Sequence, residues 1–379
     1  MDNIKVGYNN IDKAYQGNNQ INKIGNTVLA TDTSQLPYSQ QYFTLVPKSG
    51  TTTFELIISN SLLEASTDGG ENWDNIGGSY TITTDKKVLI RKWVERVIPT
   101  ESSGIGRFTA TNYFDVEGNI MSVFWSTGFE NQTTLPYNYA FKTLFSGNTY
   151  LESAENLVLP ATAMTEGCYM QMFNRCSNLS VAPKLPATVM ANNCYRGMFA
   201  LTNIRIVPAL PATTLAESCY EYMFQMCNNI RKVENGHGSK YRLPATTLAP
   251  RCYANMFNGC TNSGFNAANI QLPATTLVSE CYFQMFRGCS TMPVSPGLPA
   301  TTLAYQCYRS MFADCSNLSH IRCNATNISA ENCLYYWVGN VQTREGVFFK
   351  NANMNSFSRG QNGIPNNWVV RTWTNPDVL

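Results

Sequence analysis

The sequence predicts an α+β protein: an N-terminal all-β, sandwich-like domain, then a solenoid with one short strand and one short helix per repeat, then a β-rich C-terminal cap. Three observations carry this. The phrase Leu-Pro-Ala-Thr occurs six times, beginning at Leu159, Leu185, Leu210, Leu243, Leu272 and Leu298, with periods of 26, 25, 33, 29 and 26 residues, which belong to stacked repeats. In every copy a Cys-Tyr-x-x-Met-Phe phrase begins nine residues after that leucine, so a rigid unit alternates with a connection of variable length. Before the repeats, short β-branched and aromatic runs are separated by turn residues, as in small all-β domains.

Residues 1–34 hold two short alternating runs closed by glycine, Ile11 to Gly17 and Ile21 to Gly25, which suggest strands and turns. Too small for a core, this segment is expected to be a docking arm that packs on a partner or on the next domain; a disordered leader is the alternative. Residues 35–128 are expected to form the sandwich-like domain, with strands at 54–58, 80–83, 87–93 and 120–125. Asp68-Gly69-Gly70 is a hairpin signal, because such turns need positive φ. Glu71 and Asp74 beside it lack the spacing of a calcium loop.

Residues 129–342 are expected to be the solenoid, opened by a degenerate copy at Ala140–Phe145 and closed by another at Cys333–Val338, since terminal repeats lack one neighbour. At about 100° per residue, Leu215, Cys219, Tyr220, Met223, Phe224 and Cys227 fall on one helical face. The expected repeat core is therefore Cys168 and Phe173, Cys194 and Phe199, Cys219 and Phe224, Cys252 and Phe257, Cys281 and Phe286, and Cys307 and Phe312. The Asn two residues past the second cysteine (Asn178, Asn229, Asn262, Asn317) reads as a left-handed helix end, and the Thr of each Leu-Pro-Ala-Thr as an N-cap or turn residue. Residues 343–379, rich in aromatics and glycine, are expected to cap the last apolar rung.

Two cysteines eight apart on a helix lie about 12 Å apart along its axis, too far to bridge. That leaves buried thiol ladders running from repeat to repeat, or cross-repeat disulfides. Zinc is not expected, because the spacing fits no zinc pattern and His237 and His320 are the only histidines. Charged residues make up 14% of the chain and the net charge is +2, which gives no electrostatic case for nucleic acid or an anionic membrane. No apolar run is long enough for membrane insertion, and the first residues lack the features of a secretory signal. No nucleophile elbow, phosphate loop or carboxylate cluster is present, so neither catalysis nor a cofactor is expected.

Leu-Pro-Ala-Thr-Thr-Leu-Ala, Cys-Tyr-x-x-Met-Phe-x-Gly-Cys (intact at Cys252–Cys260 and Cys281–Cys289) and the closing Gly363-Ile364-Pro365-x-x-Trp368 resemble the BspA-like leucine-rich-repeat proteins of gut Bacteroides-type bacteria and their phages. The resemblance covers roughly residues 35–379. It implies a leucine-rich-repeat-type solenoid for adhesion and ligand binding, without catalytic residues. The opening arm is similar to the starts of phage virion proteins. Together these imply a non-enzymatic virion component, a head or tail fibre or decoration. Its expected partners are other virion proteins through the arm and a host-surface glycan or protein through the solenoid. A homo-oligomer, with a trimer possible, is expected; a bacterial cell-surface adhesin is the alternative.

Ligand contacts are expected at outward positions that vary between copies: Arg205, Arg231 and Ser295 on extended segments, and Tyr222, Phe283 and Arg309 on the helices. Tyr and Arg are favoured at binding hot spots; the competing reading is that these side chains are simply solvated. His237 and Tyr241 lie in the insertion of the 33-residue repeat, which reads as a tolerated surface loop or a binding loop.

Overall fold

The structure, a computed structural model, describes residues 11–16, 19–24, 27–29, 36–93, 104–233, 241–262, 269–341, 345–354 and 357–373. The arm forms an antiparallel three-stranded sheet of β1 (Ile11–Gln16), β2 (Asn19–Ile24) and β3 (Thr27–Leu29).

Beyond the arm lies a seven-stranded sheet of β4 (Phe43–Pro47), β5 (Thr52–Ser66), β6 (Asp74–Thr84), β7 (Val88–Lys92), β8 (Gly106–Ala110), β9 (Phe114–Asn119) and β10 (Leu151–Val158). Its order is β10-β9-β4-β7-β5-β6, with β8 also on β5. The long β5 carries the sheet around a bend: Phe54–Ile58 pairs with β8, Leu63–Ser66 pairs with β7, and the register shifts between Ile58 and Leu63. This corrects the sandwich expectation, because among the described residues no second sheet covers the apolar face. The start of the repeats covers it instead: Phe145 meets Phe43 and Phe108 at centroid distances of 6.2 and 5.9 Å. The sheet also continues into the repeat region through β10, which pairs in parallel with β9. Residues 120–125, expected as a strand, begin with a buried 3-10 turn at Ile120–Val123, capped by the Asn119 side chain. A short run that is apolar throughout does not distinguish these conformations.

The repeats contain no α-helix among the described residues, which corrects the expectation of one helix per copy and with it the α+β assignment; the fold is mostly β. From Gly167 to Cys176 the backbone instead makes successive four-residue turns. Amides of Cys168, Met170, Met172, Asn174 and Cys176 bond to the carbonyl three residues back within the same repeat. The intervening amides of Gly167, Tyr169, Gln171, Phe173 and Arg175 bond to carbonyls of Asn192, Cys194, Arg196, Met198 and Ala200 in the next repeat, at 2.8–2.9 Å. Every backbone N–H in the segment is therefore satisfied.

Side chains follow a four-residue period, with Cys168, Tyr169, Met172, Phe173 and Cys176 buried and Gln171 and Arg175 exposed. Counting the first cysteine as position 0, positions −1, 3 and 7 have positive φ in all eight rows, and every described non-glycine residue with positive φ (52° to 63°) falls at one of them. Positive φ at the third residue is what a type II turn demands. Asn178, Asn229, Asn262 and Asn317 are not left-handed, contrary to expectation. The Asn178 amide donates to the Thr149 carbonyl at 2.6 Å, and Asn229 donates to the Asn203 side chain. Nor do the Thr residues cap helices: Leu and Ala of each Leu-Pro-Ala-Thr are buried, the Thr188 and Thr246 amides bond to the Thr162 and Thr213 carbonyls of the preceding copy at 3.0 and 3.1 Å, and at the next residue parallel bridges link Thr214 to Thr247 and Thr276 to Thr302.

Two columns of parallel rings run through the repeats. One passes from Phe141 through Tyr169, Tyr195, Tyr220, Tyr253, Tyr282 and Tyr308, at centroid spacings of 5.5–6.0 Å. The other passes from Phe145 through Phe173, Phe199, Phe224, Phe257, Phe286 and Phe312, at 5.5–6.1 Å. Trp337 meets both last rings, at 6.5 and 6.0 Å.

All thirteen cysteines are free and buried. Thiols of Cys176, Cys227, Cys260, Cys289 and Cys315 donate at 3.0–3.2 Å to the carbonyl of the position-5 Phe in the preceding repeat. Core positions Cys168, Cys194, Cys219, Cys252, Cys281 and Cys307, with Phe173, Phe199, Phe224, Phe257, Phe286 and Phe312, are all 0% exposed.

Between repeats the extended segments pair in parallel: β11 (Ile206–Val207) with β12 (Lys232–Val233), and β13 (Tyr241–Arg242) with β14 (Ile270–Gln271). A four-stranded parallel sheet follows, β15 (Val294–Leu298), β16 (His320–Cys323), β17 (Val347–Asn351) and β18 (Val369–Trp373). Beside it, the Trp337 indole donates to the Gly363 carbonyl at 2.6 Å, and Ile364 and Trp368 are buried.

Two outcomes are expected. Arg175 is exposed with φ 61°, so Arg175→Gly relieves a left-handed residue and leaves stability unchanged or raised by about 0.5–1 kcal/mol. A helix would instead lose about 1 kcal/mol, so urea melts of the variant decide between the two. Burial pushes the Cys168, Cys176, Cys252, Cys315 and Cys323 thiols from 9.0 up to about 12. Below pH 9 both folded and unfolded chains keep these protons. Above it the unfolded chain releases protons that the folded chain holds, so stability falls as pH rises from about 9 towards 12. Urea midpoints should be level from pH 6 to 8 and drop by pH 10.5, and native thiols should resist alkylation at pH 8. A level midpoint at pH 10.5 contradicts this.

Candidate ligand-binding face

The turns that bury positions 0, 1, 4, 5 and 8 present positions −1, 2, 3, 6 and 7 away from the core. Because each row is hydrogen-bonded to the next in constant register, residues at one position in successive rows become neighbours. Side chains far apart in sequence are thereby aligned along the stack.

In the middle rows that face carries a chain of charges. Glu221, at position 2 and only 1% exposed, accepts from Arg196 Nε at 3.0 Å and from Arg251, which also pairs with Glu280. Glu221 thus lies between two guanidinium groups, which offset the cost of burying its charge. Arg196 also lies over the Tyr222 ring, 5.7 Å from its centroid, and Arg251 lies 5.9 Å from the Phe283 ring. Further along, Arg287 pairs with Asp314 at 3.0 Å. The Asn340 amide, then Arg287, hold the Asp314 carboxyl below its ordinary range.

Three expected contact residues, Tyr222, Phe283 and Arg309, lie on this face and are partly exposed. Arg205 and Arg231 are exposed on the extended segments, joined by a backbone bond from Arg231 N to Arg205 O at 2.9 Å. They form a separate row rather than joining the turn-face residues. Tyr241 is 5% exposed, on β13, and so is a core residue. Ser295 is 3% exposed, its hydroxyl donating to the Pro296 carbonyl and accepting from the Arg322 amide. His237 lies outside the described residues. Arg196, Glu221, Arg251 and Glu280 were missed by the sequence reading because they sit in different copies at positions 2 and −1, and only the hydrogen-bonded register between rows makes them neighbours.

The Asp68 hairpin is occupied by its own turn. Its carboxylate accepts from the Asn72 amide N–H at 3.0 Å, the Ser66 hydroxyl at 2.7 Å and the Asn72 side chain at 2.7 Å. These bonds hold its pKa well below the usual carboxylate range, the Asn72 backbone N–H most of all. Among the described residues no group of three or more His, Cys, Asp and Glu is placed to hold a metal, and no helix is long and apolar enough to cross a membrane.

Glu221→Gln should lower stability by about 1–2 kcal/mol, less than for a fully buried pair because both arginines reach solvent. The loss should shrink in an Arg251→Met background. Equal losses in both backgrounds, by urea denaturation, would show that the pair is not coupled. No protein-family model matches the sequence, and comparison with curated proteins and with solved structures gives no match either.

Proposed function

We propose that this chain is a non-enzymatic structural and adhesion protein of a phage particle, a head or tail fibre or decoration. In this reading a BspA-like, leucine-rich-repeat-type solenoid presents its turn face to the host surface, and the N-terminal arm joins other virion proteins. One observation carries the reading: the inward positions are nearly invariant from row to row, whereas the outward positions differ and combine charged and aromatic side chains. A scaffold of that kind holds binding residues at fixed spacing without using them to fold.

The arm supports the same reading. A three-stranded sheet of three to six residues per strand is at the lower limit of what stands alone, so docking on other virion proteins or on further copies of the chain would stabilise it. A homo-oligomer fits that need. No step of this proposal requires a cofactor or a catalytic group.

The expected outcome is that mass spectrometry of purified particles finds the chain, and that the full-length protein adheres to cells of Bacteroides-type bacteria. Presence in bacterial outer-surface fractions and absence from particles would replace the virion assignment with a cell-surface adhesin. Failure to adhere to any such cell would overturn the adhesive role.

A further inference from the structure

One group on the turn face is not absorbed by the ion-pair chain. Arg309, at position 2 of its row, has its guanidinium carbon 5.7 Å from the Phe283 ring centroid and 5.1 Å from that of Tyr335, so two aromatic side chains from neighbouring rows flank one cation. Its placement is fixed from within its own row: Gln306, 8% exposed, accepts from Arg309 Nη1 at 3.0 Å and donates to the Tyr305 hydroxyl at 2.7 Å. Tyr305 and Tyr335 are among the most exposed large side chains, at 42% and 48%.

The charge on this group differs from that on its neighbours. Arg196 and Arg251 are both neutralised by Glu221, and Arg251 again by Glu280. Among the described residues no carboxylate lies within ion-pairing distance of Arg309. Gln306 takes one of the five N–H donors of the guanidinium. What remains is a preoriented cation between the partly exposed Phe283 and the exposed Tyr335, with its counter-charge not supplied by any described residue.

We propose that Phe283, Tyr305, Arg309 and Tyr335 form a subsite for a carboxylate-bearing sugar residue of a surface glycan. The aromatic side chains contact the C–H face of the sugar ring, and the guanidinium takes the carboxylate through paired N–H···O bonds. One cation at this place favours one charge on a sugar ring over a polyanion, because a nucleic acid strand would call for a row of cations, and the nearby Arg196, Arg251 and Arg287 are paired with carboxylates. The proposal rests on the host-surface reading above and names the ligand class for it.

The test is calorimetric titration of the full-length chain with three oligosaccharides, bearing glucuronate, galacturonate and sialic acid, each beside its carboxyl-reduced counterpart. Adhesion to bacterial cells is measured in parallel. Binding of at least one acidic oligosaccharide is expected, weakened tenfold or more by carboxyl reduction and by Arg309→Gln, and about fivefold by Tyr335→Ala. Arg309→Lys, which keeps the charge and loses the paired geometry, should fall between wild type and Arg309→Gln. Arg175→Gln, on an exposed arginine of another row, should bind as wild type does, and circular dichroism melts confirm that each variant folds. No binding of any acidic oligosaccharide at millimolar concentration, or binding indifferent to carboxyl reduction, overturns the subsite. Adhesion that survives Arg309→Gln unchanged overturns the subsite and leaves the adhesive role standing. Binding of an acidic oligosaccharide without adhesion to any cell keeps the subsite and overturns the adhesive role.

Discussion

The structure depends on a division of labour between successive backbone amides. In every row but the last, one N–H closes a turn within its own row and the next reaches the following row. This alternation satisfies the backbone without helix or conventional strand, and it forces a four-residue period on the side chains. Two consecutive residues point inward, two point outward, and the pattern repeats. The constraint is conformational as well: three residues per row must adopt positive φ, at about 1 kcal/mol or more for each non-glycine residue. Burial and inter-row hydrogen bonds must outweigh that cost.

The inward pairs explain the composition. Position 1 carries Tyr and position 5 Phe in each of the six full copies, and constant register lays their rings over one another with interplanar angles mostly near 10° or less. Offset parallel rings contribute about 0.5–1.5 kcal/mol per pair beyond the area they bury. The second cysteine has a separate reason. The carbonyls of Phe145, Phe224, Phe257 and Phe286 already accept an amide within their turns, and the thiol of the next row supplies a weak donor to the remaining lone pair in a dry interior. Where Thr202 stands in that place, its hydroxyl turns back to the Phe199 carbonyl of its own row at 2.7 Å, and the Cys227 thiol bonds to the same oxygen.

Much of this was legible. The repeat boundaries, the buried Cys, Tyr, Met and Phe, the extended Leu-Pro segments and the Asp68 turn follow from spacing and residue type. The helix did not survive, and the reason is geometric. Over nine residues a period of 4 and a period of 3.6 diverge by less than one residue, so Cys219 to Cys227 fits either. The signal that separates them lies in the glycines: Gly147, Gly259 and Gly288 precede the second cysteine or its equivalent, at an interior position where a helix disfavours glycine and a left-handed turn residue accepts it. The missing second sheet was beyond sequence patterning, since an apolar face does not declare whether a sheet or a repeat will cover it. On the turn face, Arg309 was legible as a variable outward residue, whereas its position between Phe283 and Tyr335 required the inter-row register.

Trp337 has a consequence for how long such an array can be. Its indole spans the ends of both ring columns, and Phe357 and Phe348 lie beyond it at 6.4 and 6.1 Å, so termination is encoded by one wide side chain. At the other end Phe145 seats one column on Phe43 and Phe108 of the seven-stranded sheet, and Phe141 seats the other on Phe124 just past the 3-10 turn. Between these fixed ends every junction stacks the same two ring columns and repeats the same inter-row amide bonds. Recombination between near-identical phrases could therefore add or remove whole rows while leaving both terminal junctions intact. Reach would then vary by counting, independently of the chemistry displayed on the outside.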